Sequence, residues 1–172
     1  MRKAVVAGTF YPKNKTELKE QLKKFFSNSS TQTKKTNAVI APHAGYIYSG
    51  KTAAKSYSFL EKAETFVLIG PNHTGLGEEI SIYPEGKWAT PLGEIEIDAV
   101  LAKDIAKKIP EAELEEEAHL EEHSIEVQLP FLQYLFGGKF KIVPICIATD
   151  ERQALKGLAE AIFEAEKKEK SA

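Results

Sequence analysis

Thr65-Phe66-Val67-Leu68-Ile69-Gly70-Pro71-Asn72-His73 is the stretch on which the reading of this chain turns. Its first residues are apolar and rich in β-branched and aromatic side chains, which pack well on a pleated surface. The run is too short for a buried helix, so it predicts a buried strand. Gly70-Pro71 ends that strand and leaves His73 in the loop beyond its carboxyl end.

Upstream, Ala38-Val39-Ile40-Ala41 repeats the pattern. Pro42 closes this run, which predicts a second buried strand with His43 two residues after it. Ser49 to Leu60 lies between the two runs and reads as a helix with Ala53, Ala54, Tyr57 and Leu60 on one side. In open α/β sheets, ligands bind beyond the carboxyl ends of the strands. Two parallel strands would therefore bring His43 and His73 to one edge.

The rest of the chain extends the same alternation. Val5 to Pro12 predicts a short buried segment ending in a turn. Thr16 is placed to cap a helix with Leu18, Leu22, Phe25 and Phe26 on its apolar face. Asn28 to Lys35 reads as a polar loop. Glu79 to Tyr83 predicts a strand followed by a Pro84-Glu85-Gly86 turn. Gly93 to Asp98 alternates with period two, as a half-exposed strand does. Asp98 is placed to cap a helix through Val100, Leu101, Ile105 and Ala106. The acidic run Glu111 to Glu122 reads as a solvated loop or surface helix.

Ile125 to Phe136 predicts a helix split or kinked at Pro130. Phe140 to Ile147 predicts a strand, with Cys146 as an apolar core residue. Asp150, with Gln153 as capping-box partner, is placed to start a last helix whose core face is Leu155, Leu158, Ala159 and Ile162. Lys167 to Ala172 is expected to fray. The sum is an α/β fold, a mixed, partly parallel sheet flanked by helices, in a single domain over 1–172.

Composition narrows the function classes. The 172 residues carry a net charge of −2, which argues against a dedicated nucleic-acid binder. One cysteine allows no intrachain disulfide. No apolar run approaches the roughly 18 residues that span a bilayer. Met1-Arg2-Lys3 and the short apolar stretch after it lack the form of a signal peptide. The expectation is a cytoplasmic protein with no membrane or nucleic-acid partner.

The four histidines carry the candidate chemistry. Neutral imidazoles suit iron, copper or zinc, and such sites take a third protein ligand. Pro42, Gly45 and Tyr46 around His43, and Asn72 and Thr74 around His73, are candidates to line a pocket. His119 and His123 share a face if the segment is helical. His119 sits in the acidic run and is expected outside, with His123 pointing inward.

Four segments resemble the Memo family, whose microbial members are also called AmmeMemoRadiSam system protein B. They are Ala7-Gly8-Thr9-Phe10-Tyr11-Pro12, Ala41-Pro42-His43-Ala44-Gly45-Tyr46 with Tyr48-Ser49-Gly50, Gly70-Pro71-Asn72-His73, and Glu122-His123-Ser124-Ile125-Glu126-Val127-Gln128-Leu129-Pro130-Phe131-Leu132. The resemblance implies a fold like that of class III, non-haem iron extradiol dioxygenases. It implies that His43 and His73 are metal ligands and that His123 lines the same pocket. Family members run longer, so the chain is expected to lack the family's C-terminal portion, where the third metal-site position lies. A sheet missing strands would expose an edge and favour a homo-oligomer.

Two readings follow. In the first, iron or copper held by His43 and His73 supports redox or dioxygenase-like chemistry, with His123 as acid, base or hydrogen-bond donor. In the second, the same fold is a non-catalytic module that binds a peptide or small ligand. A metallohydrolase is a weaker third, because no carboxylate is clearly placed for it.

Overall fold

The computed structural model describes residues 1–27 and 34–169. Most of the polar loop expected at Asn28 to Lys35 lies outside these residues, as does the end of the tail. The elements in chain order are α1 (Lys15–Ser27), α2 (Tyr46–Tyr57), β1 (Thr65–Pro71), β2 (Ile80–Ile82), β3 (Lys87–Thr90), β4 (Gly93–Ile97) and α3 (Ala99–Ala106). They continue with β5 (Ala112–Leu114), α4 (Leu129–Phe136), β6 (Lys141–Ile147) and α5 (Arg152–Glu169), with single 3₁₀ turns at Glu117–His119 and Glu126–Gln128. This is a mixed α/β fold with a partly parallel sheet and flanking helices. It divides into two compact units, the first made of Met1–Glu64, Lys87–Ile95 and His123–Phe140, the second of Thr65–Gly86, Glu96–Glu122 and Lys141–Ala172.

The first unit is built on helices and aromatic side chains. Leu18, Leu22 and Phe25 form the buried face of α1, at the spacing expected of an amphipathic helix. Its cap is Asn14 and not Thr16: the Asn14 Oδ1 accepts from the Thr16 and Glu17 amides at 2.8 and 3.2 Å. Gly50 lies inside α2 because a Cβ there would stand 2.3 Å from the Phe25 ring. Tyr46, Tyr57 and Phe131 pack ring on ring, with Tyr57 and Phe131 stacked at 5.4 Å. Pro130 falls in the first turn of α4, where its missing N–H costs no helical bond, so the helix begins there and is not kinked.

Two further expectations fail in this unit. Ala38 to Ala41 is not a strand; it lies outside every helix and strand, and Ile40 is 95% exposed. Val5 is not buried either, because the chain bends at Val5-Val6 and leaves the Val5 side chain outside.

The second unit is organised on β6. Its whole length runs parallel to β1, from Thr65–Lys141 to Pro71–Ile147. Its other edge pairs with the end of β4 at Lys141 and Ile142, in parallel, and with β2 at Ile145 to Ile147, antiparallel. Pro144 falls in the gap between those two partners, so its missing N–H breaks no ladder, while its carbonyl accepts from Tyr83. β5 adds to β2 in parallel. Ile80, Ile82, Ala102, Ile105, Val143, Ile145 and Leu158 form one core from sheet and helices. Asp98 caps α3 as expected, its side chain accepting from the Leu101 amide. In α5 the buried face is Ala154, Leu158, Ala161 and Ala165, and Ala159 is exposed, which corrects the expected face. At its start the Glu151 amide donates to Thr149 Oγ1.

Candidate functional site

In the second unit, His73 sits in the loop after β1, as the strand-end argument requires. That loop is folded by its own polar side chains. Asn72 Oδ1 accepts from the Thr74 and Gly75 amides and from the Thr74 hydroxyl, and its Nδ2 donates to the Leu76 carbonyl. The Asn72 amide is anchored on Ile147. Gly75 and Gly77 have φ of +69° and +75°, which favours glycine at both turns. Asn72 and Thr74 thus shape the loop that presents His73.

The histidine itself is held by Glu122. One carboxylate oxygen takes the His73 amide, and the other lies 2.9 Å from Nδ1. The Glu122 side chain is 1% exposed and the His73 side chain 43%. The acidic run is therefore not all solvated: it carries a buried carboxylate aimed at a partly exposed imidazole. With the carboxylate accepting at Nδ1, that ring nitrogen is the donor to Glu122.

His119 lies deeper in the same unit. It is fully buried, which corrects the expectation that it faces solvent. Its Nε2 lies 3.1 Å from the Ser81 carbonyl, its Nδ1 lies 3.4 Å from Cys146 Sγ, and its ring meets Tyr83 edge-on. Those contacts explain how an imidazole fits an apolar core. Cys146 is buried, as expected.

In the first unit, His43 and His123 are both half-buried, and their ring centroids lie 5.9 Å apart. Phe10 packs on His123 at 4.7 Å. His43 stands in the irregular segment before α2, and Gln128 ties that segment down: its Nε2 donates to the Pro42 and Ser124 carbonyls, and its Oε1 accepts from the Tyr57 hydroxyl. Gly45 has a negative φ of −55° and is the N-cap of α2. Tyr46 is a core residue whose hydroxyl donates to the Val127 carbonyl.

Close by in sequence, Glu126 accepts from the Arg2 guanidinium, the Val5 and Val6 amides and the Tyr11 hydroxyl. Burial, and then the Glu126 charge, raise the Tyr11 phenol well above its ordinary range, so it stays a donor. The sequence reading gave no role to Glu122, Glu126 or Gln128. Of the three candidate ligands, His43 and His123 belong to the first unit and His73 to the second. No helix among the described residues is long and apolar enough to cross a membrane.

Comparison with known proteins agrees with the motifs. The chain matches the family model for Memo-like protein over residues 2–172. It is 48% identical over 173 residues to a MEMO1 family protein of Pyrococcus abyssi, covering 96% of this chain and 59% of that one. A MEMO1 family protein of Aquifex aeolicus is 47% identical over 169 residues, covering 98% and 63%. One from Sulfurisphaera tokodaii is 44% identical over 176 residues, covering 94% and 62%. The chain spans about three fifths of the length of these relatives. With nearly half its residues identical along almost its whole length, the chain belongs to the Memo-like family.

Proposed function

We propose that this chain is a metal-binding member of its family, in which His43, His73 and His123 give imidazole nitrogens to one transition-metal ion. The observation that carries this reading is the Glu122–His73 pair. Burying a carboxylate is costly unless it is well partnered. Here the carboxylate serves a histidine whose ring is substantially exposed. A carboxylate on one ring nitrogen is what orients a metal-ligating histidine and raises the basicity of the other.

His123, expected from the sequence to act as acid or base, joins the ligand set. Phe10 holds its ring on one side. Three imidazoles fit iron, copper or zinc, and iron or copper would add the redox and oxygen-handling chemistry of the dioxygenase-like fold that the family resemblance implies. The chain's own part is to fix the rings: Gln128 anchors the His43 segment, and Asn72 shapes the His73 loop.

Elemental analysis of protein purified without chelators, followed by titration with Fe(II) and Cu, tests this. His43→Ala should lower the affinity for the bound metal by at least about tenfold. Equal affinity in that variant would sink the proposal. Peptide or small-anion binding that survives chelation would support the non-catalytic module instead.

A further inference from the structure

The net charge of −2 is not spread evenly along the chain. The first unit carries fourteen lysines and arginines against six acidic residues, a net of +8, and the second carries nine against nineteen, a net of −10. In the first unit, Lys15, Lys19 and Lys23 of α1 are all exposed. They follow one another at four-residue steps, so they line one flank of the helix about 6 Å apart. Like charges at that spacing destabilise a helix. Lysines of the second unit have acidic partners: Lys103 pairs with Glu85, Lys108 with Glu164 and Lys156 with Glu160. Among the described residues, Lys15, Lys19 and Lys23 form no ion pair. Phe26 lies on the same flank, three residues after Lys23 and seven after Lys19. It stacks on Tyr134 of α4 at 5.2 Å with the rings 2° from parallel, and Tyr134 is 36% exposed.

We propose that this flank of α1, with the Phe26–Tyr134 ring pair beside it, binds single-stranded nucleic acid. A net charge near zero argues against such a partner only when the charge is evenly spread. At physiological salt the field of an exposed charge is screened within about 8 Å, so the local density of lysines, and not the net charge, sets the attraction for a phosphate. Phosphates would serve as the counter-ions that the three lysines lack and relieve the repulsion along the helix. The rings supply what a bare basic patch does not have. Sites for single strands join a positive track to aromatic faces on which bases stack. That favours a single strand over a duplex, whose bases are already stacked, and over an anionic lipid surface, which has no base. Lysines offer point charges to the backbone and read no base edge, so binding is independent of base sequence. No histidine of the candidate metal site takes part.

The test is fluorescence anisotropy of short labelled oligothymidylate and oligouridylate titrated with this chain at several salt concentrations. At least one oligomer should bind. The logarithm of its affinity should fall against the logarithm of salt with a slope of about −2, as three phosphate contacts on a single strand require. Lys19→Gln with Lys23→Gln should weaken binding by about tenfold or more at low salt and flatten the slope by about 1.4. Tyr134→Leu, which keeps an apolar side chain against Phe26, should weaken it by about fivefold or more and leave the slope unchanged. Lys103→Gln with Lys156→Gln removes the same charge from the second unit and should change neither quantity. All these positions are exposed on helices, so the variants fold as the parent does. The proposal is overturned if neither oligomer binds, or if the Lys19 and Lys23 variant binds as tightly as the parent. It is also overturned if Tyr134→Leu leaves the affinity unchanged, or if a duplex or phosphatidylserine vesicles compete as well as the unlabelled single strand, because the flank would then be a bare charge patch.

Discussion

Glu126 accepts hydrogen bonds from four donors of its own unit, whereas Glu122, four residues earlier, meets both the backbone amide and the ring of His73. Both side chains are almost fully buried. What differs is the nature of the partners. Those of Glu126 are a guanidinium, two amides and a phenol, all supplied by the first residues of the chain. The Arg2 guanidinium also lies 4.1 Å over the Trp88 ring, and its backbone bridges to the strand carrying Trp88. Glu126 is therefore a fastener for the N-terminal segment. Glu122 instead holds one loop histidine by both its backbone amide and its ring. One carboxylate fastens a terminal segment, and the other orients a histidine in a loop.

The largest expected effect is on the fastener. Glu126→Gln removes the charge that partners Arg2 and leaves a buried guanidinium without its counter-ion. Breaking a buried pair in this way costs about 3–5 kcal/mol. Urea unfolding of the variant and parent measures it. A loss below about 1 kcal/mol would mean that Glu126 is not what holds the N-terminal segment.

The next effect separates the two glutamates. Glu122→Gln keeps an oxygen for the His73 amide but can turn an NH₂ toward Nδ1. The imidazole then prefers to accept at Nδ1 and to carry its proton on Nε2, the wrong tautomer for a ligand. Metal affinity should fall by about 10- to 100-fold, while stability changes little. Isothermal titration beside urea unfolding reads both quantities. If stability falls and affinity does not, the two carboxylates are fasteners alike.

Glu126 carried a signal in the sequence that Glu122 did not. A glutamate inside the apolar run Ile125 to Phe136 signals burial with a partner, because such groups are almost never buried unpaired. The sequence carried no sign of which partner, since Arg2 and Tyr11 lie more than a hundred residues away. His119 was misread for the opposite reason. Its acidic neighbours pointed to solvent, but its ring is satisfied by the Ser81 carbonyl inside the core. The long apolar strands β1 and β6, the alternation of β4 and the Asp98 cap could be read because each is a local pattern. β3 and β5 were missed because runs of four and three residues are too short to show a period. Ala38 to Ala41 has the apolar pattern of a strand, but composition cannot say whether a neighbouring strand is present. His73 thus follows the end of a strand, whereas His43 follows a segment that forms none.

The smallest effect probes the fastener from its phenol donor. Tyr11→Phe leaves Glu126 Oε1 with the Val6 amide alone and should cost about 1.5 kcal/mol, as a lost bond to a charged acceptor does. It should also change the response to alkali. Burial raises the phenols of Tyr11, Tyr46 and Tyr57 above their ordinary value of 10.0, with the Glu126 charge adding to the effect at Tyr11. The folded state thus holds these protons more tightly than the unfolded chain does. Their contribution is fully present below about pH 10 and is lost as pH climbs toward the folded values. Unfolding midpoints from about pH 8 to about pH 11 should therefore fall less steeply for Tyr11→Phe than for the parent. The lysines titrate in both proteins, so the difference between the two slopes belongs to Tyr11. Identical slopes would show that neither burial nor Glu126 raises the phenol, and the N-terminal segment would then rest on Arg2 and the two amides.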